Sequence, residues 1–260
     1  MDLNSLSPDE LQALMDVTPD SLAVHCGIIS DQPAVSEEVR TWKLQRQVSD
    51  VLRAPHGLTA SDQILSGFSA KYLRDLVAAY KARASPTGAV VSILSTISHL
   101  PYFVRYQKAP ECSDLAVLQA TYIANAQDDP SDQDVIAEMC QFLSTLFVLQ
   151  GTSPVPEDVK KKLMSKLRTW RRRYRDSFAA ESSGRCLDAL AGDRELTEMS
   201  MILKSILEKP LNECGAPGCN SGVQRDLKQC GRCKSIVYCG IPHQKEHWSE
   251  HKKLCFPATF

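Results

Sequence analysis

The sequence lacks the features that mark several common enzyme and membrane classes. Glycine is scarce, 12 in 260 residues, and no glycine-rich loop of the kind that cradles phosphate occurs. No apolar run approaches the roughly 18 uncharged residues of a membrane span. The longest apolar segment, Val135 to Leu149, contains Glu138. The opening Met1-Asp2-Leu3-Asn4 is acidic and is soon broken by Pro8, unlike the basic end and apolar stretch of a secretory leader. An intracellular protein, nuclear or cytoplasmic, is expected. Formal net charge is only −1, which provides no global pull toward nucleic acid or an anionic membrane. Persistent alternation and Asn-Gly hairpin signals are also missing, so no extended sheet is expected over the first 210 residues.

What is present there is helix after helix. Ser7-Pro8-Asp9-Glu10 has the cap, first-turn proline and early acid of a helix start. Val39, Trp42, Leu44, Val48, Val51 and Leu52 mark one helical face. Ile64, Phe68, Tyr72, Leu76 and Tyr80 mark another. Short stretches rich in Pro, Gly, Ser and Asp separate them, at Arg53 to Thr59 and Ala84 to Gly88. Val135 to Leu149 is apolar nearly all round, the pattern of a helix in the middle of a bundle. Asp132 and Asp134 stand at its start and Gly151 just past its end, as capping prefers. The acidic run Asp128, Asp129, Asp132, Asp134 lacks the glycine and terminal glutamate of a calcium loop, and capping explains it better. The expected class is mainly α: a bundle or an irregular helical-repeat stack.

Val159, Leu163, Leu167, Trp170, Tyr174 and Phe178 form an apolar stripe inside a strongly basic segment, Lys160 to Arg175. The bland reading is a core-packed helix with a solvated basic face. The sharper one is a nuclear-import signal, a nucleic-acid face or a calmodulin-type target. The adjacent His25 and Cys26 suggest a thiol–imidazole pair, but neighbours on a helix point about 100° apart. No catalysis is expected there. Cys112, Cys140 and Cys186 read as buried small hydrophobes.

Six of the ten cysteines are crowded between positions 214 and 255. A reducing compartment disfavours disulfides, so a dense Cys/His cluster points to metal. The ligands come in four close pairs: Cys214 and Cys219, Cys230 and Cys233, Cys239 and His243, His251 and Cys255. Eight ligands suffice for two tetrahedral zinc ions, with no position left open for a reactive water. Gly231 is expected to permit the tight turn between Cys230 and Cys233. Pro217-Gly218 is expected to bend the first pair together. Cys239 and His243, like His251 and Cys255, would lie one turn apart on a helix. The segment is too short to bury an adequate core unaided, and structural zinc contributes about 10–16 kcal/mol of apparent binding free energy to folding. Because His243, His247 and His251 are each four apart, spacing alone leaves open whether His243 or His247 is the sixth ligand.

The run Lys228-Gln229-Cys230-Gly231-Arg232-Cys233-Lys234, then Val237-Tyr238-Cys239, His243-Gln244-Lys245-Glu246-His247-Trp248 and His251-Lys252-Lys253-Leu254-Cys255 resembles a MYND-type zinc finger. The likeness spans Cys214 to Cys255, about the last fifth of the chain. Two departures stand out: four residues separate Cys214 from Cys219 where two are usual, as in fungal fingers of this type, and His243 replaces the usual cysteine. The resemblance implies an interleaved cross-brace. Cys214, Cys219, Cys239 and His243 would hold one zinc, and Cys230, Cys233, His251 and Cys255 the other. It also implies a protein-interaction module that takes short proline-containing peptides, often in transcriptional regulation.

The expected organisation is a helical domain over 1–210 and a finger over 211–260, each with its own source of stability. Gln244 and Trp248, four apart on one helix, are the expected peptide-docking residues, with Ile236 and Val237 offering an extended edge. The alternative for Trp248 is packing on its own zinc knuckles. Some relatives join this finger to a lysine methyltransferase, but no Asn-His or Gly-x-Gly signature of that chemistry occurs, so no enzyme is expected. Nucleic-acid binding through 159–178 is the remaining alternative. The finger's own surplus of cations is modest, seven Lys/Arg against four Asp/Glu.

Overall fold

A computed structural model describes residues 17–30, 36–53, 58–126, 132–192, 194–219 and 226–260. The helix start expected at Ser7-Pro8 and the acids Asp128 and Asp129 lie outside them. Eleven α-helices are present among the described residues: α1 (Pro19–His25), α2 (Glu37–Arg53), α3 (Leu58–Arg83), α4 (Ala89–Ile97), α5 (Pro101–Tyr106), α6 (Leu115–Asn125), α7 (Gln133–Gln150), α8 (Glu157–Arg173), α9 (Phe178–Ala191), α10 (Arg194–Asn212) and α11 (Ile241–Leu254). One two-stranded antiparallel sheet, β1 (Lys228–Gln229) and β2 (Val237–Tyr238), pairs Lys228 with Tyr238 and Gln229 with Val237. The mainly-α class expected from the sequence is what the chain adopts.

α7 sits in the centre and packs against α4, α6, α9 and α10. Its apolar residues point inward all round, burying Ile136, Met139, Phe142, Leu143, Leu146 and Leu149. The Asp132 carboxylate accepts the Asp134 N–H at 2.8 Å and caps the helix. Gly151 ends it at φ +81°, a backbone that a side chain would strain. Phe68, Tyr72, Leu76 and Tyr80 line the buried side of α3. Tyr80 meets Phe142 edge to face at 5.9 Å and its hydroxyl donates to Gln119 at 2.9 Å. On α2, Leu44 is buried and Trp42 largely exposed.

The basic segment is two helices rather than one. α8 buries Val159, Leu163, Leu167 and Trp170. It stops at Tyr174 because Asp176 adopts φ +62° and Ser177 caps α9, its hydroxyl accepting the Ala180 N–H. Phe178 therefore opens the next helix and is exposed. The His25 imidazole is engaged by Gln47, Nδ1 to Oε1 at 2.8 Å. Cys140 and Cys186 lie in the core, where burial pushes the Cys186 thiol well above its usual range. An inert thiol is the result.

The last five residues bind the finger to the helices. The Tyr102 hydroxyl lies 2.8 Å from the Leu254 carbonyl and 3.1 Å from that of Phe256, and accepts the Phe256 N–H at 2.8 Å. Thr259 N–H donates to the Ala70 carbonyl at 3.0 Å. Arg105 donates to the Phe260 carbonyl at 3.0 Å and lies over its ring, which also packs on Tyr106. Ala70 and Tyr102 thereby join Cys230, Cys233, Tyr238 and Cys255 in one small buried cluster.

Candidate metal centre

Three local devices bring the ligands together. Gly218 takes φ +69° in the turn that returns the chain to Cys219. Cys214 forms a parallel bridge to Val237, and Gly215 N–H donates to the Val237 carbonyl at 2.9 Å. A Cβ on Gly215 would collide with the Ile236 side chain, which would have to shift to admit it. In the Cys230–Cys233 knuckle the left-handed residue is Lys234, at φ +56°. Gly231 is not in that region, so the freedom expected of it is not what closes the turn. Cys239 follows β2 and precedes α11, while Cys255 is the C-cap of α11. The last two ligand pairs thus bracket the ends of α11 instead of both lying along it.

Cys214, Cys219, Cys239 and His243 converge in one cluster; Cys230, Cys233, His251 and Cys255 converge in another. Within each, all ligand atoms lie within 4.8 Å of one another. In the second cluster, Cys230 and Cys255 sulfurs are 3.7 Å apart, and His251 Nε2 is 3.4 Å from Cys230 and 3.6 Å from Cys233. In the first, Cys219 and Cys239 sulfurs are 3.9 Å apart, and His243 Nδ1 is 3.5 Å from Cys214 and a tighter 2.8 Å from Cys239. A tetrahedral zinc with the usual bond lengths sets its sulfurs about 3.8 Å apart and sulfur from nitrogen about 3.6 Å. A disulfide would need about 2.0 Å. The two clusters fit two zinc ions in an interleaved cross-brace. His247 is in neither cluster: its Nδ1 meets the Tyr238 hydroxyl at 3.1 Å and its ring stacks on His251.

The electrostatics of the donors agree with that fit. Burial, with a smaller push from His247, lowers His251 to about 4, so its imidazole is neutral near pH 7, as a ligand must be. Burial raises Cys233 to about 11 and also pushes Cys255 and Cys214 upward. Burial works upward on Cys230 too, but the backbone N–H groups of Cys233 and Arg232 outweigh it and lower that thiol. Crowded, buried thiolates need a compensating charge, and a divalent cation supplies it.

The expected docking residues are dispersed around this frame. Trp248 is 39 % exposed, its ring centroid 5.8 Å from that of His251 in a T-shaped arrangement. Gln244 lies one turn earlier on α11, its amide donating to the Cys230 sulfur at 3.6 Å. Ile236 is half-buried and lines a cleft of about 400 Å³, shared with His247, Pro101, Tyr102 and Pro210. Val237 is buried. One side of β2 pairs with β1 and the other with Cys214. The partner-strand edge expected at Val237 is occupied by the chain itself. Tyr102, which no local pattern in the sequence marks, is the residue beside the second cluster that ties it to the helices.

Fold and site together define a helical protein carrying a two-zinc cross-brace finger. The finger is of the MYND type: residues 212–255 match the MYND finger family. Egl nine homolog 1 of Mus musculus is 36 % identical over 56 residues, 17 % of this chain and 14 % of that protein. The Homo sapiens protein of the same name matches equally over 13 % of its length. N-lysine methyltransferase SMYD2 of Homo sapiens is 48 % identical over 33 residues, 13 % of this chain and 8 % of that protein, confined to the finger. The matches thus span at most about a seventh of these curated relatives. No solved structure matches. Among the described residues, no helix is long and apolar enough to cross a membrane.

Proposed function

We propose that this chain is an adaptor whose MYND finger docks short proline-containing segments of partner proteins in transcriptional regulation. In this reading the helical body spans 1–210 and the finger 211–260, with α10 running through the boundary to Asn212. Cys214, Cys219, Cys239 and His243 hold one structural zinc. Cys230, Cys233, His251 and Cys255 hold the other. The proposed docking surface is the α11 face of Trp248 and Gln244, flanked by Ile236.

The observation that carries this reading is the exposure of Trp248. A tryptophan serving only as packing would be largely buried, yet this one shows 39 % of its surface while pairing T-shaped with His251. Exposed tryptophans of this kind are enriched at binding hot spots. Gln244 gives its amide hydrogen to Cys230, which orients its carbonyl oxygen as an acceptor for a peptide N–H. The family match supports a zinc-binding interaction module. It is a zinc-finger family, not a catalytic one, and the methyltransferase likeness is restricted to the finger.

Fluorescence polarisation with a panel of labelled proline-containing peptides tests the proposal. Trp248→Ala should keep both zinc ions and its circular dichroism but lose peptide binding by at least about tenfold, the ~1.4 kcal/mol or more expected of a hot spot. Loss of zinc or of folded structure in that variant would assign Trp248 to packing and overturn the docking surface.

A further inference from the structure

The chain's small net charge conceals a strong local segregation. From Glu157 to Arg175 there are nine Lys/Arg against two Asp/Glu, a surplus of seven in a protein whose total is −1. α8 displays that charge directionally. At 100° per residue, Lys161, Ser165, Arg168 and Arg172 fall within about 60° of arc. The buried residues Val159, Leu163, Leu167 and Trp170 lie on the opposite side. The four outward residues are all exposed and form a straight track about 17 Å long along the helix axis. Arg173 and Arg175 extend it as exposed cations at its end.

The cations flanking the track are partly engaged within the protein. Lys160 pairs with Glu157 at 2.7 Å and Arg171 with Asp188 at 3.5 Å. Lys162 donates to the Asn125 side chain and Lys166 to the Ala126 carbonyl. By contrast, Lys161, Arg168, Arg172 and Arg175 have no ion-pair partner among the described residues.

We propose that this outer face of α8 binds the phosphate backbone of duplex nucleic acid without reading its sequence. Four observations select that partner. Along about 17 Å of axis one strand of a duplex presents about five phosphates, so a straight row of cations meets charge over its whole length. The face has no apolar centre, which a protein–protein interface requires: between Lys161 and Arg172 its members are Lys, Ser and Arg. It has no apolar side to insert into a bilayer surface either, because Trp170 and the leucines are committed to the core. Nor does the track hold an exposed ring for stacking unpaired bases. Phe178, exposed beyond the end of the track, has the Arg185 guanidinium over its ring at 5.4 Å. Cations set in a straight row to meet phosphates give positioning rather than specificity. The whole chain's net charge of −1 gives no pull toward nucleic acid, whereas the cations gathered on α8 do.

The test is fluorescence anisotropy of the full, zinc-loaded chain with a labelled mixed-sequence DNA duplex of about 20 base pairs, between about 50 and 200 mM salt. The expected result is binding at the lower salt that weakens steeply with added salt, and equally for unrelated sequences. Arg168→Gln combined with Arg172→Gln should weaken binding at least about tenfold and flatten the log–log salt slope by about two, one for each phosphate that loses its cation. Both side chains are exposed, so the melting temperature of the variant should match the parent. Trp248→Ala should bind the duplex as the parent does, which separates this surface from the finger's. No binding at the lower salt, binding unchanged in the double variant, or capture of poly-glutamate or phosphatidylserine vesicles in place of the duplex would each overturn the proposal.

Discussion

Helices α7 and α11 are of similar size, 18 and 14 residues, but different forces hold them. α7 buries nine side chains, almost all apolar, among four neighbouring helices. α11 buries one, His251, which belongs to the second zinc cluster. Its ends are fixed by His243 in the first turn and Cys255 at the cap, and its last carbonyl by Tyr102. The comparison teaches that regular secondary structure does not disclose its source of stability. One helix is held by removing carbon from water; the other depends on metal and a few hydrogen bonds.

The largest expected effect comes from removing a ligand. Cys233→Ser should abolish the second site, forfeiting on the order of 10 kcal/mol of apparent zinc binding. α11 should melt while the helical body keeps its far-ultraviolet dichroism, since the body's core contains none of the ligands. Loss of most helical signal would erase the distinction between the two regions. Leu143→Ala addresses the other half. Leu143 is fully buried on α7, and truncation there should cost about 2–5 kcal/mol with zinc content unchanged. Simultaneous loss of zinc would mean that the body's core also supports the finger.

Tyr102→Phe probes the seam. It strips the Phe256 N–H of its acceptor and the Leu254 and Phe256 carbonyls of the one hydroxyl proton within their reach, a cost of about 1–3 kcal/mol. Zinc release to a competing chelator, followed by absorbance, should accelerate. An unchanged release rate would make the finger self-sufficient.

Glu138→Gln should give the smallest effect and one that depends on pH. Burial raises the Glu138 carboxyl above its usual range, against opposing hydrogen bonds from Ser92 and Gln45. The folded state therefore holds this proton to higher pH than the unfolded chain does. Stability is lost as pH rises from the ordinary carboxylate value through the raised folded one. The glutamine variant lacks that loss, so its urea midpoint should gain on the parent as pH rises above the ordinary carboxylate range. A constant difference would place Glu138 in a solvated setting.

The sequence discloses best those features whose physics is local. The Asp132 cap, the Gly151 stop and the all-round apolar run between them mark α7 from the residues alone. The ligand pairs mark the zinc clusters because each pair is close in sequence. Where backbone conformation decides, legibility falls. Lys234 rather than Gly231 takes the left-handed turn, and Asp176 with Ser177 divides a stripe that reads as continuous. Least visible is the seam, since Tyr102 and Phe256 are separated by 154 residues and neither carries a signal alone. Whether β2 has a free edge is hidden for the same reason. It depends on Cys214, far from Val237 along the chain but bridged to it in the fold.

Elemental analysis of the purified chain tests the central claim most directly, namely that eight protein ligands in two interleaved clusters hold two structural zinc ions. The account predicts a ratio near two zinc ions per chain in the parent. In Cys233→Ser and in Cys239→Ser alike the ratio should fall, because each substitution removes one ligand from a different cluster. A parent ratio near one would contradict the two-site assignment, and a ratio of two retained in either variant would contradict the ligand set.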